Sequence, residues 1–189
     1  MAYAVAIDDV KASISDMAAG EKVCQPFPVV LDGSMYRHSV YGYTVTLPKG
    51  SNWTNYTYDD GTVVFAKVQS YVPSTKDFHL PSGVFIYVAG LRGDYSSLAA
   101  YLDAWIQVFQ EVYAGLELLS TRPVCVPMSG VNEAYEVEAI VTRERTEFRE
   151  RWLLFFAGPA GYFIEGFAWP EEWERYEKYI DTVLYSFGL

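Results

Sequence analysis

The sequence predicts an α+β fold in which helices cover both faces of an antiparallel β-sheet. Three observations support this prediction. Apolar segments separated by connectors of hairpin length follow one another from residue 116 to residue 169, as is typical of antiparallel strands. Two stretches with helical spacing of apolar residues, 95–115 and 170–187, surround these segments. The last two strands are apolar on both sides, so both faces of the sheet must be covered.

The first half of the chain predicts short strands and an N-terminal extension. Alternating residues predict a half-buried strand over 40–47, a second over 54–58, and a third over 62–71 after the Asp59-Asp60-Gly61 turn. The prolines of 72–82 predict a loop, and the apolar run 84–89 predicts a central strand. Residues 1–36, with helical spacing over 1–20 and a turn at 32–34, are predicted to form an arm or helix, and 37–189 a single domain.

The second half predicts a long helix, four strands and a closing helix. The helix covers 95–115, with Asp94 and Ser96 as candidate N-caps and Gly115 placed to end it. Strands are predicted over 116–127, 132–142, 147–157 and 162–169. Pro170 fits the first position of the closing helix. Alternation places aromatic and aliphatic side chains on both faces of the last two strands: Phe156, Phe163 and Phe167 on one face, and Phe155, Tyr162 and Ile164 on the other.

Composition limits the classes of function. The chain has 189 residues and a formal net charge of −10, which argues against a nucleic-acid partner because phosphate binding needs clustered Lys and Arg. No apolar run is long enough to insert into a membrane. The first ten residues lack the pattern of a signal peptide, so a soluble cytoplasmic protein, monomeric or weakly dimeric, is the default expectation, unless a signal peptide has been removed. Cys24 and Cys125 could form a disulfide, but free thiols are the preferred interpretation.

Three segments resemble the Mog1/PsbP-like domain family. They are YGYTVTLPKGSNW at 41–53, YSSLAAYLDAW at 95–105, and GYFIEGFAWPEEWERYEKYIDTVLYSF at 161–187. The resemblance covers about residues 39–189 and implies an α/β/α sandwich. This family includes a nuclear transport cofactor, photosystem accessory subunits, bacterial lipoproteins and effector-associated chaperones. It therefore implies a non-enzymatic module that binds proteins, and it supplies no functional residue position by position.

A charged hairpin is the first candidate binding site. If residues 143–146 make the turn, Glu138 faces Arg151, and Glu136 and Arg149 lie diagonally on the same face. The opposite face then carries an apolar set: Val137, Ala139, Phe148 and Trp152. Such charge pairs usually lie on a solvated sheet surface. The alternative is a charged groove that recognises a group of a partner.

Glu165 is the second candidate. By alternation it shares a face with Phe163, Phe167 and Trp169, and buried carboxylates are rarely left without a partner. An arginine partner is the simpler explanation. A functional carboxylate with a perturbed pKa is the alternative.

Tyrosines form the third candidate. Tyr41, Tyr43, Tyr56, Tyr58 and Tyr71 lie in or beside the early strands. Tyrosine is favoured at protein interfaces because it combines a large contact area with a polar group. These residues are either a binding surface or ordinary strand residues.

Catalytic and metal-binding patterns are weak. His38 and His79 are the only histidines, and no ligand spacing joins them to Asp59, Asp60 or Asp77, so solvated loop residues are expected and no metal or cofactor is predicted. Nucleophile elbows and phosphate-binding loops are missing from the sequence. The sequence therefore predicts a non-catalytic protein-binding or scaffold module. The alternatives are a chaperone that shelters an apolar segment of a client, or an enzyme that pairs Glu165 with Glu136 or Glu138.

Overall fold

The fold is built on one seven-stranded antiparallel sheet. The computed structural model describes residues 32–58, 61–67, 70–72, 77–79, 82–126, 131, 133–143 and 145–189. The sheet strands are β3 (Thr54–Thr57), β4 (Val63–Ala66), β7 (Ser82–Leu91), β8 (Gly115–Val124), β9 (Ala134–Arg143), β10 (Thr146–Ala157) and β11 (Ala160–Ala168). Their spatial order is β3-β4-β7-β11-β10-β9-β8. Two separate hairpins pair β1 (Gly33–Arg37) with β2 (Thr44–Pro48), and β5 (Ser70–Val72) with β6 (Asp77–His79).

Helix α1 (Leu98–Val112) covers one face of the sheet. It begins after Ser97, whose Oγ accepts a hydrogen bond from the amide of Ala100 at 3.1 Å, so the cap is Ser97 and not the predicted Asp94 or Ser96. Trp105 stacks on Phe163 of β11, with 4.2 Å between ring centroids. This helix and β11 belong to one apolar cluster. The side chains on this face of the central strands are therefore buried beneath the helix.

Helix α2 (Trp173–Tyr185) covers the other face. A 3-10 turn at Pro170–Glu172 leads into it, consistent with a proline at the start of the helix. Gly166 of β11 lies directly below Ile180, where a Cβ atom would overlap the isoleucine side chain. After the helix, the backbones of Thr44 and Gly188 exchange two hydrogen bonds of 2.7 and 2.9 Å, which attach the C-terminus to β2.

The prediction that both faces are covered is confirmed by the central strands. Phe155, Tyr162 and Ile164 belong to the core on the α2 side, whereas Phe163 lies in the core on the α1 side with Phe156 packed against it. Phe167 is 1% exposed and stacks on Phe85. The architecture is thus the α/β/α sandwich of the predicted α+β class.

Several early elements differ from the sequence prediction. Gly33 begins β1, although a turn is predicted at 32–34. Gly42 adopts φ = 75°, so the strand predicted over 40–47 begins only at Thr44. The strand predicted over 62–71 is divided into β4 and β5, and the predicted loop 72–82 contains β6. These errors arise because such short strands carry little periodic pattern, and their pairing depends on the neighbouring segment of the chain.

Some predictions fall outside the described residues. These are the N-terminal arm up to residue 31, with its helix over 1–20, and positions 59–60 of the predicted hairpin turn. The strands on either side of that turn, β3 and β4, do pair in antiparallel register as predicted.

Candidate functional site

The register of β9, β10 and β11 places charged side chains on both faces of the sheet. Arg151 lies directly opposite Glu138, as predicted. Because alternate residues point to opposite faces, Arg149 and Arg151 lie on the α2 side, and Glu150 lies on the α1 side with Trp152. Two clusters of ionisable residues result, one on each side of the same strand.

The first cluster, which we call the triad, consists of Arg143, Glu150 and Glu165. The guanidinium of Arg143 donates hydrogen bonds to both carboxylates. Glu150 and Glu165 are 0% and 1% exposed, so the guanidinium is their main source of neutralising charge. The surrounding rings hold Arg143 in place, with its Cζ atom 5.0, 5.2 and 5.4 Å from the ring centroids of Tyr113, Phe148 and Phe167.

Each carboxylate of the triad has one further donor. The indole Nε1 of Trp152 donates to Glu150 at 2.7 Å, and the hydroxyl of Tyr87 donates to Glu165 at 3.5 Å. These contacts confirm that an arginine satisfies Glu165, although the sequence assigned Arg143 to a turn and did not identify it as the partner. The alternation of Phe148, Glu150 and Trp152 was the available signal that Glu150 also lies on this face.

The triad contains two acids for one base, and this raises a carboxyl pKa. Burial, and next the charge of Glu165, raises the pKa of Glu150 to about 8, even though Arg143 acts in the opposite direction. The pKa of Arg143 is raised because the charges of Glu165 and Glu150 outweigh the effect of burial. Near neutral pH the triad therefore holds a proton on Glu150 while Arg143 stays charged.

Stability is expected to fall as pH rises towards 8, because of Glu150. The folded state keeps a proton on Glu150 up to about pH 8, whereas the unfolded chain releases it near the ordinary value of 4.5. Between these values the folded state binds more protons, so raising the pH favours unfolding. We expect the stability of the wild type, relative to Glu150→Gln, to fall by about 2 kcal/mol or more between about pH 5 and pH 8. Urea unfolding of both proteins across this range measures it, and a constant difference would contradict the assignment.

The second cluster, on the α2 side, is centred on Arg151. Its guanidinium contacts Asp181 of α2, and lies 2.8 Å from both Glu138 and Glu177. Arg149 bonds to the other oxygen of Glu138 at 3.2 Å. Burial raises the pKa of Asp181 to about 6 in spite of Arg151. Burial acts to raise the pKa of Glu138, but the hydrogen bonds and charges of Arg151 and Arg149 together outweigh it, so the pKa is lowered.

This face is not the solvated surface that the hairpin pattern predicts. The side chain of Arg151 is only 9% exposed because helix α2 lies over it, and Trp173 stacks against it with its ring centroid 5.5 Å from the Cζ atom of Arg151. Glu136 is 2% exposed and bonds to Arg122 at 2.8 Å and to the hydroxyl of Tyr185, not to Arg149. Sequence analysis does not identify Arg122 and Tyr185 as partners of Glu136, or Asp181 as a partner of Arg151. These residues lie 14, 49 and 30 positions from their partners along the chain.

The acid pair considered for an enzyme does not form. Glu165 points to the α1 side, whereas Glu136 and Glu138 lie on the α2 side, so the sheet separates them. The acid that meets Glu165 is Glu150, through the shared Arg143. Both are buried, so this arrangement neutralises charge in the core.

The candidate tyrosines divide into buried and exposed groups. Tyr43 is 0% exposed and stacks on Phe187 at 5.1 Å, so it is a core residue. Tyr41, Tyr56 and Tyr58 are 40%, 36% and 42% exposed. We call these three residues the tyrosine surface. The side chain of Tyr71 lies outside the described residues.

Local contacts place Tyr41 and Tyr58 beside the turn at Gly61, at the β3 edge of the sheet. The ring of Tyr41 lies 3.1 Å from where a Cβ atom of Gly61 would be, and the amide of Gly61 donates to the carbonyl of Tyr58 at 3.0 Å. Tyr56 lies in β3, two positions before Tyr58. The hydroxyl of Thr54 bonds to that of Tyr56 at 2.9 Å.

His38 supports this end of the molecule. It is 3% exposed, and its Nδ1 accepts hydrogen bonds of 3.1 Å from the amides of Val40 and Tyr41. Its ring stacks on Tyr43 at 4.9 Å. His38 is therefore a buried residue that caps a turn, not the solvated loop residue that the sequence predicts.

Other candidate features have simpler roles. An open depression of about 580 Å³ near the β9–β10 turn has a mainly polar lining that includes Arg145, Glu147 and Glu171. Within the described ranges, no group of three His, Cys, Asp or Glu residues could hold a metal ion. Cys125 is disulfide-bonded, so the preferred prediction of a free thiol is wrong for this residue. Cys24 lies outside the described residues.

Comparison with known proteins identifies the fold. No family model matches the chain, and no curated protein matches it. The solution structure of cyanobacterial PsbP (CyanoP) from Synechocystis sp. PCC 6803 matches with a TM-score of 0.59 and 14% identity, over 88% of this chain and 96% of that chain. The chain has a Mog1/PsbP-like fold.

A second solved structure agrees with this fold. A protein of unknown function from Pseudomonas aeruginosa, PA94, matches with a TM-score of 0.50 and 15% identity, over 76% of this chain and 88% of that chain. The Mog1/PsbP-like fold expected from the three sequence segments is thus confirmed. Among the described helices of this Mog1/PsbP-like chain, none is both long and apolar enough to cross a membrane.

Proposed function

We propose that this protein is a non-catalytic module that binds another protein through the tyrosine surface. The observation that carries the proposal is the grouping of Tyr41, Tyr56 and Tyr58, each more than a third exposed, around one turn at the edge of the sheet. Large rigid rings that carry a hydroxyl group provide contact area at low entropic cost, which is why tyrosine is enriched in binding hot spots.

The state of the acids supports a binding role over an enzymatic one. A general acid or base must reach its substrate. Glu136, Glu150 and Glu165 are each at most 2% exposed and bonded to an arginine. Their ion pairs with arginine explain how these carboxylates are accommodated in the core.

The charge of the chain favours a basic partner. With a net charge of −10, the protein attracts basic surfaces at long range, and this steers association. Exposed tyrosine rings also contact Arg and Lys side chains favourably through cation–π interactions. A partner that presents basic side chains at its contact surface therefore fits both properties.

An affinity experiment with matched variants tests the proposal. Tagged wild type is incubated with lysate of the source organism, and bound proteins are identified by mass spectrometry. We expect one dominant partner that the triple variant Tyr41→Ser, Tyr56→Ser, Tyr58→Ser fails to retain. Truncating a hot-spot residue costs about 2 kcal/mol or more, which corresponds to about thirty-fold in affinity.

A control variant separates this surface from general stickiness. Val108 and Val112 are 45% and 66% exposed on helix α1, so Val108→Ser with Val112→Ser removes apolar area elsewhere. This variant is expected to retain the partner. Retention by the tyrosine variant would place binding elsewhere, and the failure of the wild type to enrich any protein would contradict the binding role.

The disulfide at Cys125 indicates the type of compartment in which the protein acts. Disulfides persist in oxidising compartments and are rare in the cytosol. We therefore favour an oxidising compartment over the default of a cytoplasmic protein.

A further inference from the structure

Strand β8 is a long strand at one edge of the described sheet. It forms one end of the sheet order and pairs only with β9 among the described strands. Seven of its ten residues, 117–123, are exposed, and Leu118 and Leu119 are 41% and 46% exposed. An edge strand presents unpaired backbone N–H and C=O groups, so it can accept another strand.

A bulge in β8 gives this edge a self-complementary pattern of side chains. The register with β9 shifts between Leu118 and Ser120, which leaves Leu119 as the additional residue. As a result Glu117 and Arg122 both lie on the α2 side, opposite Ile140 and Glu136 of β9. Without the bulge, two residues five positions apart would point to opposite faces.

We propose that β8 pairs with β8 of a second copy of this chain, in antiparallel register about a two-fold axis at Ser120. When Leu119 is counted as the additional residue, this register sets Glu117 of each copy opposite Arg122 of the other copy. The two-fold axis therefore generates this pair twice. It also sets Leu118 opposite Thr121 of the second copy on the α1 side. Opposite charges directly across an antiparallel pair are stabilising, and like charges are destabilising.

The side chains that would meet are accessible in the single chain. Glu117 is exposed, and the side chain of Arg122 is 49% exposed although it contacts Glu136. A guanidinium has five N–H donors, so Arg122 can bond to more than one carboxylate at once. Because each copy carries a net charge of −10, repulsion opposes association and makes the dimer salt-dependent. This contact involves the opposite edge of the sheet from the tyrosine surface, so it is independent of partner binding.

A charge exchange tests the register. Sedimentation velocity over a concentration series measures the dimer dissociation constant of the full chain. Glu117→Arg places like charges across both pairs, so we expect the dissociation constant to rise about tenfold or more. Mixing Glu117→Arg with Arg122→Glu restores opposite charges at both positions, so the mixture is expected to associate where each variant alone does not. A wild type that stays monomeric at all concentrations, or a dimer unaffected by Glu117→Arg, would overturn the proposal.

A cross-linking pair avoids dependence on the folding of Arg122→Glu. Facing residues in an antiparallel pair have Cα atoms about 4.5–5.5 Å apart, which is within disulfide range. Ser120→Cys should therefore form a covalent dimer under mild oxidation. Thr121→Cys, one position from the axis, is the control, because its two copies would be separated by more than about 7 Å. Equal cross-linking of both variants would contradict the register.

Discussion

Arg143→Met is expected to lower the free energy of unfolding by about 3–5 kcal/mol, the cost of breaking a buried ion pair by removing one partner. Two carboxylates depend on this guanidinium, and both Glu150 and Glu165 are buried almost completely. Methionine retains most of the apolar stem that packs among the rings around Arg143. The loss therefore reports mainly the charge and its hydrogen bonds. Urea unfolding at neutral pH, followed by tryptophan fluorescence, measures it.

Removing the two acid partners of Arg143 separates the contribution of charge to this stability loss from the contribution of packing. When Glu150 and Glu165 are changed to Gln together with Arg143→Met, no buried charge remains, and we expect more than half of the lost stability to return. A loss that is the same in both backgrounds would attribute the effect to packing alone.

The fold was predictable where the pattern of apolar residues extends over a whole element. Strands β10 and β11 carry aromatic or aliphatic residues at consecutive positions, and that alone requires cover on both faces. The apolar residues of helix α2, which follows Pro170, recur every three or four positions, and this spacing is typical of a helix and not of a strand. Short strands such as β1 and β6 were missed because three to five residues hold too little periodic information, and their pairing depends on the neighbouring segment.

The site was predictable only across one hairpin. The pairing of Glu138 with Arg151 follows from the length of the turn between β9 and β10. That same turn also determines the face of Glu150, but nothing local indicates that Arg143 folds back to meet Glu165 of the next strand, 22 positions away. The contact of Asp181 with Arg151 needs the docking of α2 on the sheet, which no pair of sequence positions specifies.

Because helix α2 buries Arg151, a substitution of this arginine is expected to have the second large effect on stability. Arg151→Met is expected to lower the free energy of unfolding by about 3 kcal/mol, because Asp181 would keep a buried charge without its guanidinium. Burial already raises the pKa of Asp181 to about 6, and Arg151 opposes that rise. Loss of Arg151 should therefore raise the pKa of Asp181 further. Carboxyl carbon NMR of Asp181 as a function of pH, together with urea unfolding, measures both effects.

Arg149 supplies the matched comparison for Arg151 because it lies on the same strand and the same face, and also bonds to Glu138. Its side chain is 36% exposed and its ion pair is 3.2 Å long, whereas Arg151 is 9% exposed and contacts three acids. A solvent-screened pair contributes about 0–1 kcal/mol, so Arg149→Met should change stability by no more than that. It should also leave the pKa of Asp181 unchanged. If the two variants lost equal stability, helix α2 would not enclose Arg151 as described, and the α2-side charges would form the solvated sheet surface that the hairpin sequence predicts.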